Sequence, residues 1–213
     1  MFTSRLRMLP AAALAAAALI VAGCSSDNSG DSNPSPSATS SHSPMADMPG
    51  MNHNSAPSTA TRTDYNDADV SFLTMMYPHH AQAVEMAKLV PGRSQNQELI
   101  TLAANVEKAQ APEMEQFAAL LHSFGKPAPQ ATMNHPMNGV MTSEQMTQLR
   151  NASGADFDRM WLQMMIAHHQ GAVDMANTEL ADGTNADAKA LAHNILTAQQ
   201  AEIQQMRGML GQN

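Results

Sequence analysis

The chain has 213 residues, 43% of them hydrophobic and 14% charged, and its 11 Lys and Arg against 19 Asp and Glu give a formal net charge of −8. An acidic balance of this size disfavours nucleic acid or an anionic lipid surface as a partner. Its one cysteine, Cys24, excludes an internal disulfide, a thiolate metal site and a CxxCH haem attachment, so any soft ligand must be methionine.

Arg5 and Arg7 precede an apolar run, Leu9 to Ala22, with the charged start and short apolar centre of a secretory signal, too short to span a bilayer as a mature helix. The run ends in Val21-Ala22-Gly23-Cys24, which resembles the bacterial lipobox and makes Cys24 the expected lipid anchor. Removal of residues 1–23 takes Arg5 and Arg7 with it and leaves a mature charge of −10. The expected location is the extracytoplasmic face of the bacterial cell membrane, with the lipid as the membrane contact.

Residues 24–64 are rich in Ser, Pro, Asn, Asp and Thr and cannot build a core, which predicts a disordered tether. The tether nevertheless carries His42, Met45, Met48, Met51 and His53, and a chain without a core has no packing use for three methionines. A second cluster, Met133, His135, Met137 and Met141, lies in a Pro/Gly/Asn-rich connection at 126–142. Thioethers mixed with imidazoles select copper, above all Cu(I), over hard cations, so both clusters are candidate auxiliary copper ligands.

Residues 65–213 are predicted to be a helical domain, with repeat one at 65–125, the linker at 126–142 and repeat two at 143–213. At 100° per residue, Phe72, Met76, His79, Ala83, Met86 and Val90 share one face of the first helix, beside Leu73, His80, Val84 and Ala87. Ser71, Thr74, Pro78, Ala81, Glu85 and Lys88 fall on the opposite side, with Glu85 on the solvated face, and Pro78 is expected to bend the helix. A capping box, Ser94-x-x-Gln97, predicts the start of the partner helix, whose stripe of Leu99, Leu102, Val106, Phe117 and Leu121 ends at Gly125. Gln110 and Glu113 lie inside that stripe. In the second half the partner helix is predicted from about Asn185 to Leu210, with Gln199 and Glu202 facing inward.

The two halves are near-copies. An offset of 89 carries Asp69 onto Asp158, Met76 onto Met165, His79-His80 onto His168-His169, Met86 onto Met175, Gln110 onto Gln199 and Glu113 onto Glu202, without a gap. Shared packing alone would preserve apolar residues, so a polar set held in register points to a ligand set. A hairpin cannot cover both sides of its own apolar face, and two copies are expected to pair about a pseudo-twofold axis into an all-α four-helix bundle. Buried without partners, these groups would cost several kcal/mol each; they satisfy one another or hold a metal. The carboxylates Asp69, Asp158, Glu113 and Glu202, with Gln110 and Gln199, are expected to orient the imidazoles rather than bind soft copper directly. His122 and His193 are unduplicated and are read as incidental.

The repeated Met-x-x-His-His-x-x-Ala-Val-x-Met-Ala, the preceding Asp-x-x-Phe/Trp and the later Gln-x-x-Glu resemble the bacterial domain-of-unknown-function family 305 over roughly residues 64–210. The resemblance implies a ferritin-like bundle, often exported, with members implicated in copper binding and tolerance. It points to Met76, His79, His80, Met86, Met165, His168, His169 and Met175 as the metal-binding residues. The expected function is that of a lipid-anchored copper buffer or chaperone, with copper ions and a copper-delivery or efflux protein as partners. An alternative is a metal-dependent ferritin-like oxidoreductase, although no Glu here has a His three residues later, as a di-iron site of that fold requires. A structural or partner-binding bundle whose polar layer fixes helix register is the third reading. Binding alone suffices, and no catalytic residue is assigned.

Overall fold

The computed structural model describes residues 61–132 and 136–212. Cys24, His42, Met45, Met48, Met51, His53, Met133 and His135 lie outside the described residues. Among the described residues the chain is all-helical: α1 spans Asp67–Lys88, α2 Gln97–Ser123, α3 Ser143–Asn151, α4 Gly154–Asp182 and α5 Ala186–Met209. None of these helices is long and apolar enough to cross a membrane.

Three of the helices start on asparagine. Asn66, Asn96 and Asn185 each accept two backbone N–H groups of the first turn, satisfying donors that have no partner inside a helix. Asn96 displaces the predicted Ser94 as the cap of α2; Ser94 Oγ instead accepts from Asn96 N at 3.0 Å and holds the turn before it. Gly125 ends α2 at φ +69°, and the Lys126 N–H reaches back to the Leu121 carbonyl at 2.9 Å. The short α3, opened by a Thr142/Gln145 capping box, is an element beyond the four expected.

α1 packs on α2 and α4 on α5, and the two hairpins meet mainly through α1 and α4. The core falls into two lobes. One contains Phe72, Leu73, Met76, Phe117, Ala172, Ala176 and Ile195; the other contains Ala83, Met86, Val106, Phe157, Trp161, Met165 and Ile203. Each long helix passes from one lobe to the other through polar residues: α1 at His79-His80, α2 at Gln110, α4 at His168-His169 and α5 at Gln199. The order of the lobes along each helix makes α1 antiparallel to both α2 and α4.

The connection between the halves lies on the bundle. Pro78 is buried although it lies opposite the apolar arc of the helical wheel, and Pro127, Ala128 and Pro129 of the connection share a cavity wall with it. Farther along, Gly139 lies backbone to backbone against Gly171 of α4. A Cβ on Gly139 would sit 2.8 Å from the Ala167 carbonyl oxygen and 3.0 Å from that of His168, and one on Gly171 would overlap the Asn138 carbonyl. Gln82 of α1 secures the same segment, donating to the Met141 carbonyl at 2.9 Å and accepting from Met141 N at 2.7 Å.

Candidate metal centre

The polar residues between the lobes form one buried layer. His79, His80, His168 and His169 are fully buried, and Gln110 and Gln199 nearly so. Helical spacing produces this: Met76 precedes His79 and His80 by three and four residues, Met165 precedes His168 and His169 likewise, and residues so spaced share a face. Met76 and Met165 are buried too, each one turn from its histidine pair.

Within each hairpin the second histidine is held by its partner helix. His80 Nε2 lies 2.7 Å from Glu113 Oε2, and His169 Nε2 lies 2.7 Å from Glu202 Oε2. The carboxylate accepts, so Nε2 carries the proton and Nδ1 presents its lone pair. Both Nδ1 atoms are buried without a hydrogen-bond partner. The first histidines of the pairs meet across the interface between hairpins, with His79 and His168 ring centroids 3.8 Å apart, and neither nitrogen of either ring has a partner. Six imidazole nitrogens are therefore buried and unpaired, together with the Gln110 amide and Gln199 Oε1. For the first histidine of α1 protonation gives no relief: burial, then the neighbouring His80 and His169, holds His79 well below the ordinary histidine range. Burial followed by the charges of His79 and His169 does the same to His168. His80 is lowered by burial, against the opposing pull of Glu113.

Lone pairs on neutral imidazoles, desolvated and aimed at no donor, fit a metal ion. Among the described residues no three His, Cys, Asp or Glu side chains are grouped to hold one by themselves. Thioether from Met76 and Met165 is the donor type at hand to complete such a set.

The other sequence candidates are dispersed. Met86 and Met175 stand seven residues beyond His79 and His168, about 10 Å along the helix axes. Met86 lies in the Trp161 lobe, its carbonyl accepting from Trp161 Nε1 at 2.9 Å, and Met175 packs, half-buried, against the other lobe. Asp69 is remote from the imidazoles. It closes the α1 capping box through Asn66 N at 2.6 Å and accepts from Asn185 N at 2.9 Å and from Thr184 N and Oγ1, tying α1 to the α4–α5 turn. Asp158 is half-buried with one oxygen unpartnered. Met141 is buried in the Trp161 lobe and Met137 is half-buried. His122 and His193 are exposed, as are Glu85, paired with Arg150, and Asp174.

Sequence reading missed Glu179. Its carboxyl is buried with both oxygens unpartnered, and burial, aided by Asp69, raises it to about 8. Asp69 is shifted down, because backbone hydrogen bonds from Asn66 and Asn185, with Glu179 and Thr184, outweigh its own desolvation. The signal was present: Glu179 stands where the offset puts Val90, an acidic residue in an apolar register.

Fold and site together define an all-α double hairpin that buries a duplicated imidazole layer where the two halves meet. The chain belongs to the DUF305 family, a domain of unknown function, whose family model matches residues 69–210. Among solved structures it is similar to a DUF305 protein of Streptomyces coelicolor described as secreted, at 30% identity and TM-score 0.63 over 68% of this chain and 92% of that one. A DUF305 fragment from Deinococcus radiodurans is 31% identical with TM-score 0.63, over 70% and 98% of the two chains. CopM, a third, is solved in Cu(I)-bound, Cu(II)-bound and Ag-bound forms; the Cu(II) form is 30% identical with TM-score 0.59, over 66% and 94%. Comparison with curated proteins gave no match.

Proposed function

We propose that this chain is an exported, lipid-anchored copper-binding protein that buffers or chaperones copper, with Cu(I) preferred. The metal is held in the layer by Met76, His79, His80, Met165, His168 and His169, while Glu113 and Glu202 fix the tautomers of His80 and His169. The six buried, unpaired imidazole nitrogens carry this reading, since burial without partners is costly and a bound metal removes that cost. The metal-bound forms of CopM support copper as the cargo, and the secreted Streptomyces relative supports export. Cys24 is the proposed lipid attachment site. His42, Met45, Met48, Met51 and His53, with Met133, His135, Met137 and Met141, are proposed as auxiliary capture ligands; Met86 and Met175 enter as ligands outside the histidine layer.

Cargo binding needs no reaction at the site, and no residue is assigned a catalytic role. The test is competition for Cu(I) and Zn(II) against a chelator. The expected outcome is that Cu(I) outcompetes zinc; equal or tighter zinc binding contradicts the copper assignment.

A further inference from the structure

The two halves differ where α1 passes α4 beside Asp69. There a cavity of 230 Å³ is lined by Ala68, Ser71, Phe72, Met75, Met175, Thr178 and Glu179. The offset of 89 maps these onto Phe157, Met160, Trp161, Met164, Met86, Leu89 and Val90, all apolar. Phe157, Trp161, Met86 and Val90 are buried in the Trp161 lobe, and Met160, Met164 and Leu89 pack against it. The duplicated fold thus fills this place with core on one side and leaves it open on the other. The two methionine positions persist through the change. What differs is the loss of bulk at 68, 71 and 72 and the gain of a carboxyl at 179.

We propose that Met75, Met175 and Glu179 form a second, asymmetric binding site for a soft monovalent cation, Cu(I) or Ag(I). The inference rests on the copper-binding reading but uses residues outside the histidine layer. Both thioethers are half-buried at the cavity wall, and Ser71 Oγ donates to Met75 Sδ at 3.3 Å, which fixes one sulfur and leaves it a lone pair. Glu179 is 1% exposed with neither oxygen hydrogen-bonded. An apolar ligand would leave that carboxyl unpaired, and a hard cation would gain nothing from the thioethers. A soft cation of single charge uses both donor types and, by displacing the proton held on the buried Glu179 carboxyl, leaves the net charge of the site unchanged. Asp69 next to it is already engaged by Asn66, Thr184 and Asn185, and Lys189 Nζ is held on the Gly183 carbonyl at 3.0 Å, so Glu179 is the carboxyl of the group left for a cation.

The experiment is a silver(I) titration of the full chain carrying ¹³C-methyl methionine, followed by NMR, with Met75→Leu and Met175→Leu used for assignment. The Met75 and Met175 methyl resonances are expected to move together in one binding step, and Glu179→Gln, which keeps size and shape, to weaken that step about tenfold or more. Stationary Met75 and Met175 signals, or equal affinity in Glu179→Gln, overturn the site. The Met76 and Met165 methyls report the histidine layer separately. If they respond and Met75 and Met175 do not, this site fails and the layer stands; the reverse leaves this site and removes the layer.

Discussion

A neutral imidazole buried with neither nitrogen hydrogen-bonded loses its hydration and gains nothing in exchange. His79 and His168 are both in that state, their rings in contact at a tilt of 42°, which is an expensive way to fill a core. Because these rings make no hydrogen bond that could be lost, His79→Gln with His168→Gln should leave the apo-protein's thermal midpoint nearly unchanged while lowering copper affinity. A loss on the order of 1 to 3 kcal/mol per site would instead mark hydrogen-bonding core residues. Glu113 offers the contrast. Glu113→Ala removes the acceptor of the His80 Nε2 proton and should destabilise the apo-protein by about 1 to 3 kcal/mol in chemical denaturation. Copper affinity should also fall about 10- to 100-fold, as for other groups that orient a metal-binding histidine. Glu202→Ala should behave alike, since the His169 contact has the same 2.7 Å geometry.

At the scale of elements, the helices and their polar registers were legible because periodicity and an exact offset report them directly. Asn185 and Gly125 mark helix ends as expected. What the pattern could not report is contact between segments far apart in sequence. Pro78 shares a cavity wall with residues of the 126–132 segment, and Asp69 takes its donors from Thr184 and Asn185 of the α4–α5 turn. Glu179 carries no signal in the repeat itself, because its meaning lies in what the halves do not share. The docking of the linker is likewise written in a difference: position 82 is Gln in one copy and its counterpart, 171, is Gly in the other, and both are used to hold residues 138–141. Gly171→Ala should therefore push the linker off α4, costing about 1 to 3 kcal/mol, with a lowered thermal midpoint as the readout. A midpoint equal to wild type would show that the close approach is not required.

For the whole molecule, His79, His168 and Glu179 give the stability of the apo-protein its main dependence on pH near neutrality, with lowered His80 and Asp69 adding to the acid side. The folded-state pKa of His79 and of His168 lies below the unfolded value of 6.5, so the unfolded chain binds more protons and stability falls as pH drops through 6.5. Glu179 has the opposite sign: its folded pKa of about 8 exceeds the unfolded 4.5, so its contribution is full below 4.5 and is lost as pH rises through 8. The two histidines outweigh one carboxyl on the acid side, which predicts a stability maximum near 6.5, with an alkaline limb approaching 1.4 kcal/mol per pH unit in the limit of one proton. Glu179→Gln should flatten that limb, and thermal melts across pH read the result directly. Copper should deepen the acid limb, because protons compete for the same imidazoles. The central claim is that the duplicated histidine layer holds copper, and the most direct measurement is a competitive Cu(I) titration of the full chain against His79→Gln/His168→Gln. The account predicts that the double variant loses a tight class of bound copper while keeping its fold and the weaker, auxiliary binding. Unchanged stoichiometry and affinity in the double variant would contradict it.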